Sequence, residues 1–242
     1  MWGVMWRKLF EWGCGLILPA HCLWCLGSAD EEEWCCAACR ERLPFVGEDR
    51  CARCSRPAWG SVLSGSVCGA CRDMDFAFGT NFSVFRLEGE VREMVHRMKY
   101  RGAAALAGRL GYWLGGAVAR RLGGMEEVDA LIPVPLSRWR WLWRGYNQAE
   151  LLARAAGVRS GVRVLDGLER LRHQGAQVGE GRGERLTRLR GAFQVRRGVA
   201  VRGMRVVLVD DVFTTGGTLD ACARALVEGG VRSVRALTLC RG

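Results

Sequence analysis

From residue 81 onward, short apolar runs alternate with longer stretches whose apolar residues recur every three or four positions. Phe82–Leu87 reads as a strand. Val91, Met94, Val95 and Met98 fall at helical spacing, as do Leu106, Leu110, Trp113 and Leu114. Val128–Val134 is a short apolar run bounded by Pro133 and Pro135, which predicts a buried strand running into a loop. Tyr146–Arg154 reads as a helix, Val162–Leu168 as a short strand and Glu184–Leu189 as a short helix. Arg205–Val209 is apolar after its first residue and predicts a buried strand. Leu219, Cys222, Ala223 and Leu226 then mark a helix face, and Val234–Leu239 a closing strand. Strands alternating with helices predict an α/β fold, a parallel sheet flanked by helices, with ligand loops at the strands' carboxyl ends.

Before residue 80 no such period exists, and cysteine takes its place. Ten of the twelve cysteines precede Arg72, and eight of them form four C-x-x-C knuckles: Cys22/Cys25, Cys36/Cys39, Cys51/Cys54 and Cys68/Cys71. A knuckle sets two thiolates on one tight turn, and two knuckles complete a tetrahedral zinc site, so about two structural zinc ions are expected. Sequential pairing gives one ribbon from Cys22 to Cys39 and another from Cys51 to Cys71, whereas a cross-braced pairing would join the first and third knuckles. Cys35 competes with Cys36 as a ligand, and Cys14 has no partner knuckle; both read as bystanders. All-thiolate sites leave no open position for catalysis, so the module reads as structural: metal folds a segment too small to bury a core. Its span is 20–75, behind an N-terminal arm over 1–19.

Length and charge refine this picture. At 242 residues the chain suits one main domain plus a small accessory one, and 49% hydrophobic residues exclude disorder. The net charge of +11 is almost wholly arginine, with Lys8 and Lys99 the only lysines. Such a surplus fits an anionic partner: nucleic acid, phosphorylated metabolite or membrane surface. The apolar N-terminus is interrupted by Arg7, Lys8 and Glu11, and Trp12–Ala20 is too short to span a bilayer. It reads as a packed arm or an amphipathic surface helix, without stable membrane insertion, in a cytoplasmic protein.

The most specific stretch is Val206-Val-Leu-Val-Asp210-Asp211-Val-Phe-Thr214-Thr215-Gly216-Gly217-Thr218. A buried strand delivers two adjacent carboxylates to its end. A glycine–threonine turn follows and a helix begins, which places backbone N–H groups and hydroxyls around one point as a phosphate cradle. The paired acids suit sugar hydroxyls or a magnesium ion held through water. No G-x-x-x-x-G-K-[ST] is present, and Gly179-Glu-Gly181-Arg-Gly183 follows no strand, so it reads as a loop.

This run resembles the ribose-phosphate signature of the type I phosphoribosyltransferases. Upstream, Ile132-Pro-Val-Pro-Leu-Ser-Arg138 and Arg144-Gly-Tyr146-Asn147-Gln148-Ala149-Glu150-Leu151-Leu152 are similar to segments of the ComF family. That family also joins N-terminal zinc-binding cysteines to a phosphoribosyltransferase domain. Lys99-Tyr100-Arg-Gly102, Glu184-Arg185 and Gly191-Ala192-Phe193 fit the same pattern. The resemblance implies a type I phosphoribosyltransferase fold over 80–242 with a small N-terminal zinc-ribbon module. It implies that Asp210 and Asp211 bind the ribose hydroxyls of 5-phosphoribosyl 1-pyrophosphate. Thr214, Thr215, Gly216, Gly217 and Thr218 would wrap the 5-phosphate, and Pro133, Val134, Pro135 and Arg138 would lie along the pyrophosphate with its magnesium. Arg172, Gln177 and Arg185 match a mobile catalytic hood over Arg170–Arg190, with Arg185 expected to act on the leaving pyrophosphate. Gln174, Glu180 and Arg188 depart from the family pattern.

Two functions follow. One is a ligand-binding protein of DNA uptake and natural transformation, the context the family implies, with single-stranded DNA and competence or helicase proteins as partners. The other is a phosphoribosyltransferase of nucleotide metabolism, a glycosyltransferase-class enzyme with an unidentified acceptor. Arg138-Trp139-Arg140-Trp141-Leu142-Trp143-Arg144 can bind backbone and stack bases. Alternatively its tryptophans pack against the zinc module while its arginines face pyrophosphate.

Overall fold

The structure, a computed structural model, describes residues 21–29, 34–57, 66–100, 103–171 and 191–242. The chain divides into two compact units, Met1–Leu43 and Pro44–Gly242. In the smaller one, the Cys22 knuckle closes through Cys22 N–H to Gly27 O at 2.7 Å and Leu26 N–H to Cys22 O at 3.0 Å. Helix α1 (Ala37–Arg42) is built into its second knuckle, with Cys36 at the N-cap and Cys39 in the first turn.

The larger unit opens with the second pair of knuckles and a single helical turn, α2 (Gly69–Arg72). Strand β1 (Asn81–Arg86) then leads into α3 (Gly89–Tyr100), α4 (Ala104–Arg121), the short α5 (Gly124–Glu127) and β2 (Ala130–Pro133). Helices α6 (Arg138–Arg144) and α7 (Gln148–Ser160) precede β3 (Leu168–Arg170) and β4 (Phe193–Val195). Strand β5 (Arg205–Phe213), α8 (Gly217–Glu228) and β6 (Ser233–Arg241) complete the chain. The main sheet has the order β1-β6-β5-β2 with every pairing parallel. Val206–Val209 of β5 are all buried, as an interior strand covered on both faces must be.

Expectation and structure agree on the principal strands and helices. Two helices cross with unusual closeness because α4 presents Gly111 and Gly115 to α7. A Cβ on Gly111 would stand 2.6 Å from Leu152 O, and one on Gly115 2.7 Å from Ala156 O. The predicted strand Val162–Leu168 is the exception. It makes one isolated bridge, Val164 with Leu131, before a tight turn in which Gly167 N–H reaches Leu165 O at 2.9 Å. The chain then leaves the main sheet, and β3 pairs antiparallel with β4 in a separate ribbon. Glu184–Leu189 lies outside the described residues. Among those described, no helix is long and apolar enough to cross a membrane.

Candidate functional site

Strand β5 carries Asp210 and Asp211 to the carboxyl end of the sheet, beside the end of β2. There Val134 N–H donates to Val209 O at 2.9 Å, and Val134 O accepts from Asn147 Nδ2 at 3.0 Å. Asn147 also caps α7, its Oδ1 accepting from Ala149 N–H at 3.1 Å. The Asn-Gln-Ala run therefore fixes the Pro133–Pro135 loop next to the acids. Past Phe213 the chain turns at Gly216, whose φ of 84° lies in the left-handed region, and α8 begins at Gly217. Thr214 and Thr215 are exposed and Thr218 is half-buried, so hydroxyls and the N–H groups at the start of α8 lie together on one turn.

The turn rests on an aromatic floor. Phe76 and Phe78 stack at 4.7 Å between centroids, and Phe213 meets both edge-on, at 6.5 and 6.2 Å. Asp220, in the first turn of α8, accepts Ala77 N–H at 2.8 Å and Arg224 Nε at 3.0 Å. The segment after Cys71 is thereby fastened beneath the turn.

The two acids are not equivalent. Asp211 is 5% exposed. Its Oδ1 is paired with Lys99 Nζ at 3.1 Å, and its Oδ2 accepts from Gln148 Nε2 at 2.9 Å. Asp210 is half-buried, and its Oδ1 accepts Asp211 N–H at 2.8 Å. Burial and the neighbouring Asp211 charge push the Asp210 carboxyl up to about 7, against the opposing pull of that N–H and of the Lys99 and Arg140 cations.

Asp210, Asp211 and the turn Thr214–Thr218 thus gather at one end of the sheet with Pro133, Val134 and Pro135. Arg138 opens α6 and is exposed. Arg185, with Arg172 and Gln177, lies outside the described residues. Sequence reasoning passed over Lys99 and Gln148 as site residues. The signals were there: Lys99 is one of two lysines in a chain otherwise given to arginine, and Gln148 sits inside the Gly-Tyr-Asn-Gln-Ala run. The alternating Arg/Trp stretch is helical, so its tryptophans do not form one stripe. Trp139, Trp141 and Trp143 are 83%, 52% and 68% exposed, which overturns the reading that they pack away against the zinc module.

The knuckles pair sequentially. Cys22, Cys25, Cys36 and Cys39 bring their sulfurs within 4.8 Å of one another, as do Cys51, Cys54, Cys68 and Cys71. Cys25 and Cys36 stand 3.7 Å apart, and Cys54 and Cys68 3.8 Å. Four thiolates at about 2.3 Å around a tetrahedral zinc stand about 3.8 Å apart, so both clusters fit the ion. Burial would raise the Cys22 thiol, but the N–H groups of Cys36, Cys25 and Trp24 outweigh it and hold it at about 6. Cys35 belongs to neither cluster, and burial pushes its thiol up to about 12. The larger unit weaves its cluster into β1: Ser55 Oγ donates to Asn81 O at 2.7 Å and accepts Ser83 N–H at 2.9 Å.

A parallel sheet ending in paired acids and a glycine–threonine turn, preceded by two tetrathiolate clusters, defines a zinc-ribbon protein of the type I phosphoribosyltransferase fold. Residues 145–242 match the phosphoribosyl transferase domain family and residues 14–72 the double zinc ribbon domain family. The chain is 30% identical over 248 residues to the competence protein ComFC of Bacillus subtilis strain 168, covering 98% of this chain and 90% of that one. It is 28% identical over 235 residues to the DNA utilization protein YhgH of Escherichia coli K12, covering 93% and 99%. The chain belongs to the ComF family. Among solved structures, the allosteric regulatory enzyme of purine biosynthesis is similar at 25% identity and a TM-score of 0.38 over 57% of this chain, which spans 25% of that one.

Proposed function

We propose that this protein binds 5-phosphoribosyl 1-pyrophosphate with magnesium at the carboxyl ends of β2 and β5, and serves the handling of single-stranded DNA during its uptake or use. The observation behind the reading is the convergence of Asp210, Asp211 and the Gly216 turn beside the Pro133–Pro135 loop. The acids accept the ribose hydroxyls, the Thr214–Thr218 turn takes the 5-phosphate, and Pro133–Arg138 lies along the pyrophosphate. Magnesium on the pyrophosphate supplies charge neutralisation there. Residues 20–75 act as a double zinc ribbon supporting the domain over 80–242.

The DNA role draws on the exposed tryptophans and arginines of α6, on the net charge of +11, and on relatives named for competence and for DNA utilization. It places the protein in the cytoplasm with competence or helicase proteins as partners. A second reading, transfer of the phosphoribosyl group to an acceptor, is favoured by Arg140, whose charge reaches Asp210. Arg185 would then act on the leaving pyrophosphate.

Titration calorimetry with 5-phosphoribosyl 1-pyrophosphate and magnesium tests the binding. Asp210→Asn is expected to weaken it about ten- to a hundredfold, the loss of a charge-assisted acceptor. Parent-like affinity in that variant refutes the site. Release of pyrophosphate with any base, nucleoside or DNA end favours the transferase.

A further inference from the structure

Two side chains reach the acid pair from outside the motif that contains it. Lys99 lies at the end of α3 and Gln148 at the start of α7, and between them they occupy both oxygens of Asp211. Gln148 is itself 5% exposed. Its amide cannot turn over, because its carbonyl oxygen would then face a carboxylate oxygen, so Nε2 stays on Asp211. Gln148 Oε1 therefore points elsewhere, and it is buried without a hydrogen-bond donor among the described residues. A buried amide oxygen in that condition is costly unless something supplies a donor. Asp210 beside it carries only the N–H of Asp211 on its carboxylate among the described residues.

We propose that Lys99 and Gln148 divide the work of the two acids: they hold Asp211 as a fixed acceptor, and Gln148 Oε1 accepts a hydrogen bond from a hydroxyl of the bound pentose. Lys99 is a positioning residue, acting through Asp211, and Gln148 is a binding residue. The inference rests on the reading of this site as a ribose-phosphate site. It makes Asp210 the acid whose charge is still to be compensated when ligand arrives.

Charge gives Lys99 a signature that a packing role lacks. The groups whose charges reach the acid pair are Lys99 from α3, Arg140 from α6, Cys222 from α8 and Cys240 from β6. Burial pushes both thiols up, so they are uncharged near neutrality, and Lys99 and Arg140 pull the Asp210 carboxyl down against its burial. A protonated carboxyl is a poorer acceptor for a hydroxyl. Affinity should therefore rise as pH passes through the Asp210 value of about 7. Without Lys99 the pair keeps a proton to higher pH, so this rise moves to the alkaline side.

The test is calorimetry of 5-phosphoribosyl 1-pyrophosphate with magnesium across pH, with thermal melts of each variant. Gln148→Met, close in shape but without the amide, is expected to bind about tenfold more weakly with the pH of the rise unchanged. Lys99→Met is expected to bind at least about tenfold more weakly at neutral pH and to recover as pH rises, and Lys99→Arg to restore parental behaviour. If Gln148→Met does not fold, Gln148→Glu keeps the shape and should lose affinity with rising pH, as a second carboxylate ionises against Asp211. Parental affinity in the Gln148 variant, or a parental pH profile in Lys99→Met, overturns the proposal while leaving the site reading intact. A parent chain that does not bind the ligand overturns both.

Discussion

Replacing Gly216 by valine probes the turn where the fold gives way to the ligand site. The position holds φ at 84°, which for a residue with a Cβ costs about 1–2 kcal/mol. The new Cβ would stand 2.8 Å from Phe213 Cζ and 3.0 Å from Phe76 Cε1, inside contact distance of two rings. Phe213 is 2% exposed and Phe76 8%, so neither ring has solvent to retreat into. Overpacking of this kind costs about 1–3 kcal/mol, and the two effects together about 2–5 kcal/mol. For a chain of this size each kcal/mol lowers Tm by about 2–4 °C, so a fall of about 4–20 °C is expected in a thermal melt. The damage comes from beneath the turn, on its ring side. Gly216→Ala/Phe76→Leu should therefore recover part of the stability that Gly216→Ala loses, since leucine leaves room for the methyl. A Gly216→Val protein melting with the parent would refute the strained-turn and aromatic-floor argument together.

Two further outcomes follow from the clusters and from α6. Purified protein should hold about two zinc ions by elemental analysis, and Cys36→Ser should cost one of them while leaving the Cys51–Cys71 site loaded, because each cluster closes within its own compact unit. Loss of both ions, or of neither, contradicts that separation. Single-stranded DNA binding should weaken steeply with salt; Arg138→Ala should lower the salt slope by about one, whereas Trp139→Ala should cost about 1–3 kcal/mol with the slope unchanged. Salt-insensitive binding in a filter or anisotropy assay argues against α6 as the contact.

What the sequence made legible was local in the chain. Each C-x-x-C knuckle, the strand into Asp210 and Asp211, and the glycine–threonine turn are fixed by neighbours a few residues apart, so spacing alone exposes them. Lys99 and Gln148 meet Asp211 across the fold, the second from 63 residues away, so a rare lysine and a glutamine inside the Gly-Tyr-Asn-Gln-Ala run do not by themselves name that partner. The Arg/Trp run left its two readings open for a different reason: alternation does not reveal that Ser137 caps a helix there, its Oγ accepting Arg140 N–H at 3.4 Å, and that Gly145 ends it in the left-handed region. Val162–Leu168 stops short for a local reason: after the Val164 bridge to Leu131, Gly167 N–H turns back onto Leu165 O at 2.9 Å.

The two cysteine clusters read as siblings in the sequence, and the fold has given them different histories to come. The first lies in a compact unit that ends at Leu43, so a gene fusion, exchange or loss at that joint follows a natural seam. The second cannot be traded so easily. Ser55 grips β1, Arg53 Nη1 holds Met74 O, and the residues after Cys71 form the floor beneath Gly216. A deletion ending after Cys71 would take Ser55 from Asn81 and Ser83 and Arg53 from Met74. Evolutionary drift should accordingly be freer before residue 44 than between Cys51 and Phe78, although the metal chemistry of the two clusters is the same.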